Sequence, residues 1–316
     1  MEFDLSQQQS EVLASVRTLL SRYAGPDHLH ELGGDAPAYD VALDEALETA
    51  GFGTIGEHSD GGALDAALVV EEVARALGSV AFGARALVAV GLGVADLPRP
   101  IALVSANHRG PARFAADAAT LLVVDASSDS GSVRAVGIDP GTFARVRSRF
   151  GFPFGDVDEV PGGGEVLADV SAKRALAWWQ VSLALEMVGS MGAALDLTVR
   201  YVTERKQFGR AIGSFQVVQH RLADLTVLTD GARYLALEAA FRGAPEQSAA
   251  VALTHGATVA RRLPTELHQL SGAIGFATEY PLHLSTMRLP ALLAEARSMS
   301  SAERDLVALR WPGSTP

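Results

Sequence analysis

The apolar stretch from Ser171 to Lys206, "SAKRALAWWQVSLALEMVGSMGAALDLTVRYVTERK", constrains the fold more than any other part of the sequence. Its apolar residues recur at helical spacing, and a helix of this length would extend about 50 Å at 1.5 Å per residue. Such a helix is typical of a helical bundle. The motif "GSMGAA" near its centre predicts that a neighbouring backbone comes close, although Gly189 and Gly192 each lower the helix propensity.

The rest of the sequence divides into three regions. Apolar residues three and four positions apart predict helices from Leu5 to about Gly93 and again from Ser171 onwards. Between about Leu97 and Val170, short β-leaning runs alternate with turn residues. We therefore predict an α+β fold that is mainly α. Its domains would be an N-terminal all-α domain (1–96), a reduced β domain (97–170) and a C-terminal four-helix bundle (171–316).

Composition narrows the possible functions. The chain has 316 residues, of which 48% are hydrophobic and 20% charged, so it should fold around a sizeable core. A formal net charge of -11 argues against nucleic acid or an anionic membrane as a partner. The sequence has no cysteine, which excludes disulfides, thiolate nucleophiles and cysteine-based metal sites. Histidine spacing suggests no metal site either.

The location of the protein is predicted from two further stretches. The N-terminal sequence "MEFDLSQQQSEVL" has neither the basic nor the apolar part of a signal peptide, so we expect a cytoplasmic protein. The most apolar window, "WWQVSLALEMVGSMGAALDL", contains Glu186 and Asp196. Because charged residues are costly inside a bilayer, this window indicates a buried helix and not a membrane span.

The stretch "RYVTERKQFGRAIGSFQVVQHRLADL", residues 200–225, carries the clearest chemical signal. Arg205 provides a planar fork that suits a phosphate, Gln207 provides an amide, and Gly209 allows the backbone to approach a ligand. The same residues could also form an ordinary helix end, with Gly209 as the stop and nearby cations complementing the helix dipole. The residue types alone leave both interpretations open.

The order of motifs in this stretch closely resembles the signature of the acyl-CoA dehydrogenase family. That signature contains, in this order, Tyr, Arg, Gln-Phe-Gly, Ile, Phe-Gln and Gln-x-x-Leu-Ala-Asp. The same order occurs in residues 200–225. Two flanking segments, "HQLSGAIGFATEYPLHL" and "GGALDAALVVEEVARALGSV", also resemble segments of the family. The resemblance covers both helical regions and the order of all-α, β and all-α domains.

The resemblance implies an FAD cofactor bound at a subunit interface. In the family, the turn and the later Gln-x-x-Gly segment reach across to the pyrophosphate and adenine half of a flavin. The ring of that flavin lies mainly in the neighbouring subunit. Carried over residue by residue, this implicates Arg205, Gln207, Phe208, Phe215, Gln216, Gln269, Gly272 and Ala273. Ala273 stands where the family usually has a second glycine.

The catalytic base of the family is missing from its usual positions. Most members carry a Glu-Gly-Thr triplet after the Gly-x-Gly segment, and an ungapped count places Ala296 there, with Glu295 one residue away. A second group of members carries the base on the first long helix of the C-terminal domain, where this sequence has Trp179. We therefore predict no catalytic residue and keep Glu295 only as a candidate. An ordinary exposed helical glutamate is the competing interpretation of Glu295.

The β domain departs from the family as well. The family's Glu-x-Gly-Ala-Gly-Ser-Asp loop and Trp-Ile-Thr/Ser segment, which hold the acyl-CoA and the flavin ring, are not visible between Leu97 and Val170. The part of the site that would hold the flavin ring and the substrate therefore lacks the family's motifs. Trp179 could fill what would otherwise be an acyl cavity. The half-site for the cofactor tail looks retained.

These features resemble the subunits that lack a base in actinobacterial hetero-oligomeric enzymes, which desaturate CoA thioesters of steroid side chains. The resemblance implies a cytoplasmic flavoprotein oxidoreductase of lipid or steroid catabolism, in which a longer homologue supplies the base within an α2β2 heterotetramer. An electron-transfer flavoprotein or a similar acceptor would take the electrons. Two alternatives stay open. The chain could form a self-sufficient homo-oligomer with Glu295 as base, or it could be a non-catalytic assembly or CoA-ester-binding protein without flavin.

Overall fold

The fold was analysed in a computed structural model, which describes residues 5–33, 37–128 and 131–299. Its N-terminal region is helical, as the apolar spacing predicts. The first helix begins with a reciprocal capping box, in which Ser6 and Gln9 bond to each other's backbone N–H. The helices of this region are α1 (Gln7–Tyr23), α2 (Pro26–Glu31), α3 (Val41–Thr49), α4 (Ile55–His58), α5 (Ala63–Arg75) and α6 (Val90–Leu92), with a π-helical segment (Ala84–Ala89) before α6.

The middle region contains two small sheets. The larger has the strand order β1-β3-β4-β7, and the smaller has the order β2-β6-β5. Strand β3 is the central strand between β1 and β4, and its residues are buried along nearly all its length. The strands are β1 (Ile101–Ser105), β2 (Gly110–Arg113), β3 (Thr120–Asp125), β4 (Ser132–Gly137), β5 (Arg145–Val146), β6 (Phe154–Val157) and β7 (Glu165–Val166).

The C-terminal region is a bundle around one long central helix, α7 (Ala172–Glu204). A two-stranded hairpin separates α7 from α8, and a 3-10 turn (Gly272–Phe276) follows α9. The remaining elements are β8 (Lys206–Gln207), β9 (Arg210–Ala211), α8 (Gln216–Phe241), α9 (Glu246–Ser271), α10 (Leu282–Thr286) and α11 (Arg288–Met299). The predicted fold class, mainly helical with a small sheet region, is confirmed.

Helix α7 lies in the centre of the core. It is long and apolar enough to cross a membrane, but 78% of its most apolar window is buried inside the protein. The close approach predicted at its centre is also confirmed. A Cβ added to Gly189 would lie 2.3 Å from the carbonyl oxygen of Glu71, so α5 crosses α7 directly over this glycine.

Arg288 joins all three regions of the chain. It is fully buried at the start of α11 and donates hydrogen bonds to the carbonyl oxygens of Gly78 (3.0 Å) and Leu77 (2.8 Å) in the N-terminal region. Its guanidinium carbon also lies 4.5 Å from the ring centroid of Phe152 in the middle region. Burial lowers the pKa of Arg288 to about 9.

Candidate functional site

The predicted cofactor turn is a β-hairpin. Helix α7 ends at Glu204, Arg205 is extended, and β8 then pairs with β9 in antiparallel register. Phe208 and Gly209 occupy the two turn positions with φ of 54° and 80°, which is typical of a type I′ turn. The simple helix-end interpretation is therefore wrong, because the helix stops well before Gly209 and a separate hairpin follows.

The hairpin carries an exposed aromatic cluster. Phe208 is 90% exposed and meets the ring of Phe215 edge-on at 6.1 Å. The guanidinium carbon of Arg210 lies 4.1 Å from the centroid of Phe215, a cation–π contact that holds the base of the hairpin. Arg205 and Gln207 are exposed on the same hairpin. Cationic, amide and aromatic groups thus face solvent together.

The second predicted segment lies where α9 ends. Gln269 is exposed in the last turn of the helix, and Gly272 ends the helix with a φ of 64°. No atom lies within 4 Å of a Cβ added to Gly272, so the space in front of this backbone is open. Ala273 is exposed, and Phe276, which is 77% exposed, lies 5.1 Å from the ring of His268.

The two segments lie at the same end of the bundle. Arg221 near the start of α8 pairs with Glu266 near the end of α9, with 2.7 Å between Nε and Oε2. The rings of Tyr201, near the end of α7, and Tyr280 are 5.7 Å apart. The remaining predicted residue, Gln216, is the exposed first residue of α8. This end of the bundle therefore gathers all the predicted residues, and their contact with FAD stays a prediction.

Glu295 is not an ordinary exposed glutamate, which corrects one interpretation of the sequence. Its side chain is only 15% exposed, and both carboxylate oxygens have partners. Trp179 donates its indole N–H to Oε1 at 2.8 Å, and Arg113 donates its Nε–H to Oε2. A carboxylate held by two donors is poorly suited to act as a base, because protonation would disrupt an ion pair.

Arg113, at the end of β2, is the centre of this cluster, which we call the Arg113 cluster: Arg113, Glu186, Glu295 and Trp179. Arg113 also donates to Glu186, with 2.6 Å between Nη1 and Oε2, and its guanidinium carbon lies 4.7 Å from the ring of Phe152. Burial opposes the positive charge, but Glu186 and Glu295 outweigh it and raise the pKa of Arg113. Arg113 is not recognisable as a functional residue from the sequence, since its only signal is a charge within a β-leaning run.

The space around the Arg113 cluster is nearly filled. Trp179 is buried and lines a chamber of about 20 Å³ together with Arg113, Glu186 and Glu295. A chamber of this size has room for about one water molecule and none for an acyl chain. Within the described residues, the packing agrees with the expectation that Trp179 fills this region, and Trp179 and Glu295 both line this small chamber.

Comparison with known proteins supports the resemblance in the C-terminal region. Residues 170–303 match the family model "Acyl-CoA dehydrogenase, C-terminal domain". The acyl-CoA dehydrogenase IpdE2 of Mycobacterium tuberculosis is 36% identical over 104 residues, which is 33% of this chain and 32% of that protein. The matched segment thus spans about a third of the length of this curated relative.

Solved structures show the same fold along the whole chain. The ChsE4-ChsE5 complex from Mycobacterium tuberculosis superimposes with a TM-score of 0.77 at 21% identity and covers 100% of both chains. The Tcur3481-Tcur3483 steroid ACAD G363A variant superimposes with a TM-score of 0.75 at 21% identity and covers 96% of this chain and 98% of that chain. The protein therefore has the acyl-CoA dehydrogenase fold, and residues 170–303 are similar to the C-terminal domain of the acyl-CoA dehydrogenase family.

Proposed function

We propose that the chain is a subunit of an FAD-dependent acyl-CoA dehydrogenase, in which it holds the cofactor tail while a partner subunit supplies the base. One observation supports the proposal: the chain has an open bundle end with cationic and amide side chains, whereas the chamber lined by Trp179 and Glu295 is too small for an acyl chain. A chain that offers groups for the cofactor tail but little space beside Trp179 and Glu295 would need a second kind of subunit for the chemistry.

The residues at the bundle end fit the phosphate-bearing half of FAD. Arg205 offers paired N–H donors, Gln207 and Gln269 offer amides, and the open backbone at Gly272 admits close approach. When bound, FAD would accept the hydride during desaturation of the thioester. The contribution of this chain would be to bind and orient the cofactor.

The proposed substrate is a bulky CoA thioester, such as one with a steroid side chain. One protein with this fold supports it, since it is named as a steroid ACAD. Another is named as a complex of ChsE4 with ChsE5, which supports an assembly of two kinds of subunit. We further propose an α2β2 assembly with a longer homologue, an electron-transfer flavoprotein or similar acceptor, and a cytoplasmic location.

The proposal is tested by the flavin absorbance of the chain purified alone and after co-expression with a longer homologue. We expect flavin only in the complex, at about half a flavin per chain. Flavin that is bound by the chain alone and reduced by an acyl-CoA would favour the self-sufficient homo-oligomer. Preparations that stay colourless in both cases would favour the non-catalytic binding protein.

Replacing Arg205 with alanine should lower the FAD content of the complex. The loss of a charged hydrogen-bonding partner costs about 2 kcal/mol, or roughly a 30-fold weaker affinity. The measurement is a titration of the flavin-free complex with FAD. Arg242→Ala is the matched control, because Arg242 is an exposed arginine at the opposite end of α8. Equal FAD affinity of Arg205→Ala and the parent complex would contradict the assignment.

Replacing Glu295 with glutamine should leave the turnover of the assembled complex unchanged. The amide oxygen can still accept from either Trp179 or Arg113, and the hydrogen bond to the other donor is lost while the size of the side chain is kept. Turnover is measured per bound flavin with a dye as electron acceptor. If turnover disappears while flavin content and assembly stay normal, Glu295 is the base and the self-sufficient enzyme is the correct interpretation.

A further inference from the structure

His268 lies in the last turn of α9, immediately before the Gln-x-x-Gly pattern, which begins at Gln269 and assigns no role to it. The imidazole is half-buried, and its Nε2 lies 2.9 Å from the hydroxyl oxygen of Thr286 on α10. Because the hydroxyl of Thr286 donates to the carbonyl oxygen of Leu282 at 3.1 Å, its oxygen accepts the N–H of His268. The hydrogen bond therefore joins the helix before the predicted cofactor segment to the helix after it.

The 3-10 turn between these two helices packs against the same histidine. The ring centroids of His268 and Phe276 are 5.1 Å apart. The middle of the turn is close to the end of α9 as well, since a Cβ added to Gly275 would lie 2.9 Å from the Cβ of Ser271 and 3.3 Å from the carbonyl oxygen of His268. His268 thus contacts both the turn and the helix that follows it.

The predicted cofactor contacts in this segment have little packing of their own. Gln269 is exposed, and no atom lies within 4 Å of a Cβ added to Gly272. Their position therefore depends on the contacts that their neighbours make. Tyr280 fixes the far end of the connection by donating its hydroxyl to the carbonyl oxygen of Leu197 at 3.1 Å, and His268 fixes the near end.

His268 makes these contacts as a neutral group. Burial lowers the pKa of its imidazole, and the neighbouring His283 acts in the same direction. The ring is therefore uncharged at neutral pH, where it offers an N–H donor and no positive charge. Attraction of an FAD phosphate by a histidine cation is thus not its contribution, and its effect must come from the geometry of the turn.

We propose that His268 is a positioning residue for the predicted cofactor segment. Its hydrogen bond to Thr286 and its ring contact with Phe276 hold the turn in the conformation that presents Gln269 and Gly272 to the phosphate-bearing half of FAD. A turn that is already ordered loses less conformational entropy when a ligand binds, so these contacts raise the affinity for FAD without touching it. This inference rests on the proposed function, because it requires that the bundle end binds FAD.

The first test is amide hydrogen exchange of the chain alone, measured by mass spectrometry at about pH 8, where the imidazole is neutral. We expect His268→Leu and Thr286→Val each to raise the exchange rate of residues 272–280 about fivefold, because either change removes the hydrogen bond. His268→Gln keeps an N–H donor and should stay close to the parent. Parent-like exchange in both His268→Leu and Thr286→Val would overturn the positioning role.

His255→Leu is the matched control. His255 lies on the same helix, about 20 Å before His268, and its Nε2 contacts the carbonyl oxygen of Leu228 on α8 at 3.3 Å. Its replacement also removes a half-buried imidazole and one hydrogen bond. We expect exchange of residues 272–280 to remain at the parent rate. Equal acceleration in His255→Leu and His268→Leu would show a general loosening of α9 and overturn the specific role of His268.

The second test is titration of the flavin-free complex with FAD at the same pH. We expect His268→Leu and Thr286→Val each to weaken FAD binding about fivefold, and the double variant to be no weaker than the weaker single variant, because the two side chains share one hydrogen bond. His268→Gln should restore most of the affinity. Parent-like affinity in both single variants would overturn the positioning role while the proposed function stands. A parent complex that binds no FAD would overturn both.

Discussion

Arg113→Ala is expected to lower the free energy of unfolding by about 3–5 kcal/mol. The guanidinium is 6% exposed and pairs with two carboxylates that are 14% and 15% exposed. Its removal leaves the largely buried Glu186 and Glu295 without their counter-ion. Their mutual repulsion adds to the cost of leaving them buried. The measurement is urea denaturation followed by tryptophan fluorescence, since Trp179 belongs to the same cluster.

Two control variants distinguish the loss of this buried ion pair from the effect of removing any arginine. Arg242→Ala removes an exposed arginine paired with Glu238 and should change the free energy of unfolding by less than about 1 kcal/mol. A triple variant with Arg113→Met, Glu186→Gln and Glu295→Gln removes all three charges and should recover a large part of the loss. A cost in Arg113→Ala as small as that in Arg242→Ala would show that the cluster does not stabilise the fold.

Gly189→Ala is expected to lower the free energy of unfolding by about 2–3 kcal/mol, even though alanine favours a helix over glycine by about 1 kcal/mol. The new Cβ would lie 2.3 Å from the carbonyl oxygen of Glu71 and 2.9 Å from the backbone nitrogen of Arg75. These are backbone atoms of α5, so no side-chain rotation relieves the clash. Relief requires the two central helices to move apart, which loosens the packing along both.

Gly256→Ala on α9 is the matched control. A Cβ at Gly256 has no neighbouring atom within 4 Å, so only the gain in helix propensity remains. We expect this variant to be more stable than the parent by up to about 1 kcal/mol. Urea midpoints of the two variants, measured side by side, should therefore shift in opposite directions. A stabilised Gly189→Ala would mean that α5 and α7 are less closely packed than the structure shows.

The sequence predicts local features of this fold far better than its long-range contacts. Helical spacing reveals α7, and the glycine pair at Gly189 and Gly192 reveals its close neighbour, because both signals lie within a few residues of each other. The hairpin at Phe208 was harder to identify, since a phenylalanine with positive φ has no strong sequence signature. The family resemblance identifies residues 200–225 as a site, but the turn conformation at Phe208 and Gly209 is seen only in the structure.

The Arg113 cluster could not be predicted in the same way. Arg113 and Glu295 are separated by 182 positions, and nothing in either local pattern indicates that the two charges meet. A glutamate on an amphipathic helix usually faces solvent, so the exposed interpretation of Glu295 was the natural expectation.

The hydrogen bonds of Arg288 affect the order in which the regions of the chain can finish folding during synthesis. The carbonyl groups of Leu77 and Gly78 leave the ribosome early, whereas the guanidinium that satisfies them follows 211 and 210 positions later. Until α11 has been made and docked, the N-terminal helices lack this buried donor and one of their contacts with the rest of the chain. The docking of α11 therefore completes hydrogen bonds of the first hundred residues. An N-terminal fragment expressed alone should be less stable than the same residues in the full chain.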